Sequence, residues 1–236
     1  TDNLWGGRIA AKYSLSMDTM AYASVARGYK AGGFNTDGTL DADLREFGEE
    51  FLIEYELGVK SKLFQNTLQL KAALFHDDRS DQQVKSSTGR IRDNGSTEFI
   101  DFVGNAAEGT NNGVEFEAVW TPTSQLRITS NFGLLDATFD SFLNSENEDL
   151  SGRDQAHAPG YMAHVAADYN LGPWSFSVSV DAKDEFFFSD SHNVQSEPYE
   201  LLNMNIGYSS ERWSLNLWGR NLTNEDYAVR GFFFGE

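Results

Sequence analysis

The 236-residue sequence contains no cysteine. Disulfide-stapled scaffolds, iron–sulfur clusters, thiolate zinc sites and cysteine nucleophiles are excluded on that ground alone. Basic residues are scarce as well: 18 Lys and Arg stand against 36 Asp and Glu, a formal net charge of −18. Binding to nucleic-acid phosphates needs clustered cations, so this balance argues against it. No apolar run reaches the ~18 residues of a transmembrane helix. The opening TDNLWGG has neither the basic start nor the apolar stretch of a signal peptide, and the absence of an initiator Met fits a segment of a longer protein. Also missing is the recurrence of apolar residues at i, i+3, i+4 and i+7, so helix is expected to be minor.

Catalytic signatures are lacking too. His76, His157, His164 and His192 are scattered, with no H-x-x-x-H or H-E-x-x-H spacing to set two ligands on one face. There is no G-x-S-x-G elbow and no phosphate-binding glycine loop, so the chain is not expected to be an enzyme.

What the sequence does hold is rings: 18 Phe, 9 Tyr and 5 Trp. They fall into alternating patterns. Trp5, Ile9, Ala11, Tyr13 and Leu15 alternate with Arg8, Lys12 and Ser14, and Phe51, Ile53, Tyr55, Leu57 and Val59 alternate with Glu54, Glu56 and Lys60. Val114, Phe116, Ala118 and Trp120 oppose Glu115 and Glu117, and Tyr161, Ala163, Val165 and Tyr169 oppose His164 and Asp168. Side chains with period two line the two faces of a strand. The chain therefore reads as all-β, with ten strands at roughly 4–16, 20–32, 50–63, 67–88, 97–121, 125–139, 159–171, 174–188, 199–208 and 212–222. Many exceed the ~9 to 11 residues with which a tilted strand crosses a bilayer.

Between these strands, short turns near 17–19, 64–66, 122–124, 172–173 and 209–211 alternate with long polar loops near 33–49, 89–96, 140–158 and 189–198. In an up-and-down sheet that alternation sends every short turn to one end, the asymmetry of outer-membrane barrels. Tyr13, Tyr22, Phe64, Trp120, Tyr169, Trp174, Tyr208 and Trp213 lie beside the short turns, as an interfacial aromatic girdle would. A soluble β-sandwich binding module shows the same alternation and stays open as a second architecture.

Five stretches, in order, resemble the barrel of TonB-dependent outer-membrane receptors: AYASVARGYKAGGFN (Ala21–Asn35), EYELGVKS (Glu54–Ser61), GVEFEAVWTPTSQLRITSNFGLLDATF (Gly113–Phe139), HAPGYMAHVAADY (His157–Tyr169) and LLNMNIGYSSERWSLNLWGRNLTNEDYAVRG (Leu201–Gly231). The resemblance implies an antiparallel, up-and-down transmembrane β-barrel, here partial, with roughly ten strands of a 22-stranded, plugged barrel. It implies that residues 1–236 are one partial barrel domain, with the plug, the TonB-binding box and the last strand lying outside them. It further implies an outer-membrane receptor of a Gram-negative bacterium that imports a scarce nutrient, most often a ferric siderophore, with TonB-derived energy; a passive porin is the alternative. The lipid bilayer, lipopolysaccharide and the TonB system would be its partners.

By analogy with the family, ligand contacts fall to Arg27, Tyr29, Lys30 and Phe34, where the second strand rises into its loop, and to Phe186, Phe187 and Phe188. Two cations and two rings suit an anionic chelate, although interfacial anchoring and lumen salt bridges to neighbouring acids explain them more readily. Phe232, Phe233 and Phe234 form a similar aromatic tip. No cofactor is expected. Asp37, Asp41 and Asp43 crowd one loop and Glu146, Glu148, Asp149 and Asp154 another; such oxygens suit Ca²⁺, although their spacing fails the EF-hand pattern.

Overall fold

The computed structural model describes residues 4–144 and 147–231. Its main element is one antiparallel sheet of ten strands joined in sequence order. These are β1 (Gly7–Ser14), β2 (Thr19–Lys30), β5 (Glu50–Leu63), β6 (Leu68–Ile91), β7 (Thr97–Trp120), β8 (Leu126–Phe142), β9 (Tyr161–Leu171), β10 (Trp174–Lys183), β11 (Tyr199–Ser209) and β12 (Ser214–Gly219). The first long loop folds into a two-residue hairpin of β3 (Gly33–Phe34) and β4 (Glu46–Phe47) around a 3₁₀ turn at Ala42–Leu44. The sheet does not close on itself, because β1 and β12 are its two ends.

All ten expected strands are present, and their register confirms the two faces. One row runs Leu57, Leu74, Val114, Leu134 across β5 to β8, and the next runs Val59, Ala72, Phe116, Phe132. Lower rows continue through Val165 and Val180, and through Tyr169, Phe176, Ile206 and Leu217. Among the described residues no second layer covers this face. Leu57 is 57% exposed and Leu217 69%. A soluble sandwich would bury such rows against a partner sheet, so the bare apolar face selects the barrel wall.

The opposite face is polar and internally paired. Arg8 donates to Ser24 at 2.8 Å and meets Glu56 at 3.1 Å, Tyr22 donates to Glu56, and Lys71 lies 2.5 Å from Glu117. Further along, His164 contacts Asp181 at 2.7 Å while the Asn203 amide donates to the same carboxylate at 2.9 Å. Tyr22 therefore belongs to this inner face and not to the girdle; it stands opposite Gly58 and beside Lys12, one residue out of phase with the outward row. The girdle itself forms from outward rings, with Trp174 4.8 Å from Tyr208 and Tyr208 5.0 Å from Trp213.

Two boundaries differ from expectation. β10 ends at Lys183, leaving Phe186, Phe187 and Phe188 in a loop, because the pairing of β10 with both β9 and β11 stops there. The connection at 92–96 is a tight turn, and the extra length lies in β6 and β7 themselves. Their pairing shifts register between Arg79 and Gln83, where Asp81 adopts a φ of 53°, a bulge that bends the hairpin. Beyond it a two-stranded ribbon, 82–91 with 97–106, extends past the last residues that pair with β5 and β8.

Candidate functional site

All long connections leave the sheet at one end, where they are packed together. The hydrophobic clusters of buried residues lie here rather than within the wall: Val84, Ala107, Phe139 and Phe142 form one, and Leu40, Ile100 and Phe102 the other. The second exists because the loop 31–49 lies against the ribbon.

Side-chain amides tie that loop down by imitating a strand partner. Asn35 donates to the Val103 carbonyl at 2.8 Å and accepts from the Val103 amide at 2.9 Å, and its Nδ2 also reaches the Leu44 carbonyl. Asn105 accepts from the Gly48 amide at 2.6 Å and donates to the Asp81 carbonyl at 2.7 Å. Such bonds satisfy free strand-edge groups that would otherwise template further pairing.

Below them lies a buried polar knot. Glu50 is 6% exposed, yet it is met by Arg79 at 2.5 Å, by the Gln83 amide at 2.9 Å and by Lys30 at 3.4 Å. Arg79 donates onward to Gln155 at 3.0 Å, and Gln155, also 6% exposed, donates to Asn111 at 3.0 Å and to the Thr138 carbonyl at 3.1 Å. One knot thus joins the loop 31–49, the base of the ribbon and the loop 143–160. A buried carboxylate persists only when its charge is met in this way.

The neighbouring loop is held by cations over rings. Arg153 lies 4.0 Å from the Phe187 ring, donates to Asn193 at 2.6 Å and to the His192 carbonyl, while Lys183 lies 4.1 Å from the Phe186 ring. Burial lowers the Arg153 pKa from its ordinary value, with Asp190 and Asp154 opposing that shift. At the ribbon tip Arg92 and Glu98 form an ion pair that raises the one pKa and lowers the other.

The residues assigned from sequence do not converge. Arg27 and Tyr29 point outward, pairing with Ile53 and Phe51 in the outer rows, whereas Lys30 points inward to Glu50. The odd separations of Lys30 from Arg27 and Tyr29 place it on the opposite face of the strand. Phe34, 71% exposed, sits on the loop; Phe186 is 3% exposed and lies 5.4 Å from the His157 ring, tilted by 41°, instead of meeting solvent. Phe187 and Phe188 are half-buried, and Phe232, Phe233 and Phe234 lie outside the described residues, as does Glu146. Asp37 accepts from the hydroxyl and amide of Thr39, bonds that hold its carboxyl below the ordinary range. Asp41 precedes the 3₁₀ turn and Asp43 lies within it. Among the described residues no three His, Asp or Glu side chains are gathered closely enough to hold a metal.

A wall with an apolar outer face, a polar inner face and a tied mouth at one end is what a β-barrel receptor presents. The family model for the "TonB dependent receptor-like, beta-barrel" matches residues 1–222. The chain belongs to the TonB-dependent receptor family. Its relatives are receptors and transporters, not enzymes. The pesticin receptor of Yersinia pestis is 26% identical over 97% of this chain, and that of Yersinia enterocolitica 25%. This chain spans 32% of either relative's length. Among solved structures, the ferric yersiniabactin uptake receptor FyuA from Yersinia pestis superposes with a TM-score of 0.79 at 23% identity, covering 97% of this chain and 33% of that one. The siderophore receptor PiuA from Acinetobacter baumannii gives 0.72 at 15% identity, covering 93% and 32%. At these identities the superpositions establish the fold of the TonB-dependent receptor barrel.

The knot of Glu50, Arg79 and Gln155 was missed in the sequence because its members are 29 and 76 residues apart in pairs. The one available signal was the inward parity of Glu50 at the start of a strand.

Proposed function

We propose that this chain forms wall and mouth of a Gram-negative outer-membrane receptor that imports a ferric siderophore with TonB-derived energy. The observation that carries this reading is the sidedness of one sheet: lipid-suited rows outside, hydrogen-bonded polar rows inside, and every long loop at a single end. The open edges β1 and β12 meet the remaining strands of a larger barrel, and a plug fills the lumen that the inner face lines. The mouth supplies binding surface and no bond-making group. Lys30, Phe34, Phe187 and Phe188 are the assigned residues that remain at the mouth or in its loops, and they are the candidates for ligand contact. The name of one similar structure, a ferric yersiniabactin uptake receptor, supports a ferric-chelate cargo.

The test is growth. A strain lacking the gene is supplied with one ferric siderophore at a time as its only iron source, with and without TonB. Loss of growth on one chelate, restored by the gene only when TonB is present, is the expected result. Growth unaffected by the deletion on every chelate, or restoration without TonB, contradicts the reading.

A further inference from the structure

We infer that the loops 31–49 and 143–160 open and close as one unit, coupled through the guanidinium of Arg79, a regulation of the mouth that rests on the receptor reading above. Arg79 divides its donors between the two loops. Its Nε and Nη2 meet Glu50 Oε1 at 3.2 and 2.5 Å, at the foot of the loop 31–49. Its Nη1 donates to Gln155 Oε1 at 3.0 Å, within the loop 143–160. A guanidinium is flat and rigid, so the edge it turns to Glu50 fixes the edge it turns to Gln155. Both receiving side chains are 6% exposed, and neither can trade its bond for one to water while the loops are shut.

Each end of this link is tied to its own loop. Gln83 clamps both stems of the first, its Nε2 donating to the Ala31 and Gly48 carbonyls at 2.9 Å each while its backbone amide holds Glu50. That loop cannot lift without disturbing Glu50. On the other side Gln82 donates to Gln155 at 3.2 Å, and glycine at 109 makes room for the pair: a Cβ there would stand 2.9 Å from Gln155 Nε2, from Gln82 Oε1 and from the Thr138 carbonyl. The apolar anchors, by contrast, are separate. Leu40 packs with Ile100 and Phe102, and Leu150 packs against the cluster of Val84, Phe139 and Phe142. Anchors of that kind alone would let the loops loosen one at a time; the shared cation makes them one cooperative unit. The closed state is held and not locked. Gln82 is 6% exposed, yet its Oε1 meets no donor among the described residues, a cost that opening recovers.

The experiment is hydrogen exchange on the full-length protein in detergent with no ligand added, read at 33–49 and at 148–156. Leu40→Ala loosens the first loop at its apolar anchor, away from the knot. Exchange is expected to quicken about tenfold or more in both segments, with β9 to β11 unchanged, because deleting a buried leucine side chain weakens the closed state of the whole unit. Placed in a Gln155→Ala background, where the link is cut, the same substitution is expected to quicken 33–49 alone. Gly109→Ala displaces the Gln155 amide without removing it and should uncouple the loops in the same way, serving where Gln155→Ala fails to fold. Quickening confined to 33–49 in the otherwise unaltered protein, or reaching 148–156 as strongly after the link is cut, overturns the proposal. Should neither cut variant fold, Leu40→Ala alone still decides. Failure of the growth test above overturns the receptor reading and leaves the coupling standing, whereas independent loosening overturns the coupling alone.

Discussion

Glu50 is the residue on which most of the mouth depends. Its carboxylate receives Arg79, Lys30 and a backbone amide from a site closed to solvent. Removing one partner of such a buried pair typically costs about 3 to 5 kcal/mol, because the other charge is left stranded. Glu50→Ala is therefore expected to release the loop 31–49 while the sheet below stays intact. Hydrogen exchange would show it as lost protection at 33–49 with unchanged protection in β7 to β11. At the tip of the same loop, Asp37 has its pKa lowered by the hydroxyl and amide of Thr39. Because the folded value is depressed, the turn's stabilisation is fully present above the ordinary aspartate value of 3.8 and is lost as pH falls through the lowered one. Protease nicking at 37–40 by an acid-active enzyme should rise only below that range, and Asp37→Asn should show the raised nicking at every pH.

At the scale of strands, the wall was legible because its signal is local. Alternation over eight to ten residues needs only the neighbours in sequence, and the turns at 64–67 and 172–173 announced themselves through Asn66, Gly172 and Pro173. The β3–β4 hairpin was not legible, since two-residue strands carry no period, and its position depends on Asn35 meeting Val103, 68 residues away. Arg27 shows a subtler failure. Grouping it with Lys30 ignored that an odd separation along a strand puts two side chains on opposite faces. The outer rows yield a sharp comparison. Phe116→Arg sets a charge within the belt and should cost about 2 to 4 kcal/mol of folding free energy in lipid, whereas Asn131→Arg on the inner face, opposite Glu117, should cost little. Denaturant titration in lipid vesicles measures both.

For the molecule as a whole, the absent second layer changes what the composition means. Abundant Phe in a strongly acidic chain looked contradictory until the sheet set Phe51, Phe116, Phe132 and Phe176 in its outward rows and the mouth buried Phe102, Phe139, Phe142 and Phe186. Acids on the inner face such as Glu56, Glu117 and Asp181 are paired, and others crowd the loops at the mouth. A free-standing sheet with two open edges and an uncovered apolar face is not a stable soluble object, which is why the account places lipid on one side and further strands at each end. The central claim is that sidedness, and the lack of native cysteine makes it directly measurable. Single cysteines placed along β5 and β7 at 54–59 and 114–119, carrying a nitroxide in the membrane-embedded protein, report their exposure to oxygen and to a water-soluble nickel chelate. The account predicts period-two alternation, with Leu57, Val59, Phe116 and Ala118 favouring oxygen and Glu54, Glu56, Glu115 and Glu117 favouring the chelate. Equal access of the water-soluble chelate to both sets would contradict it.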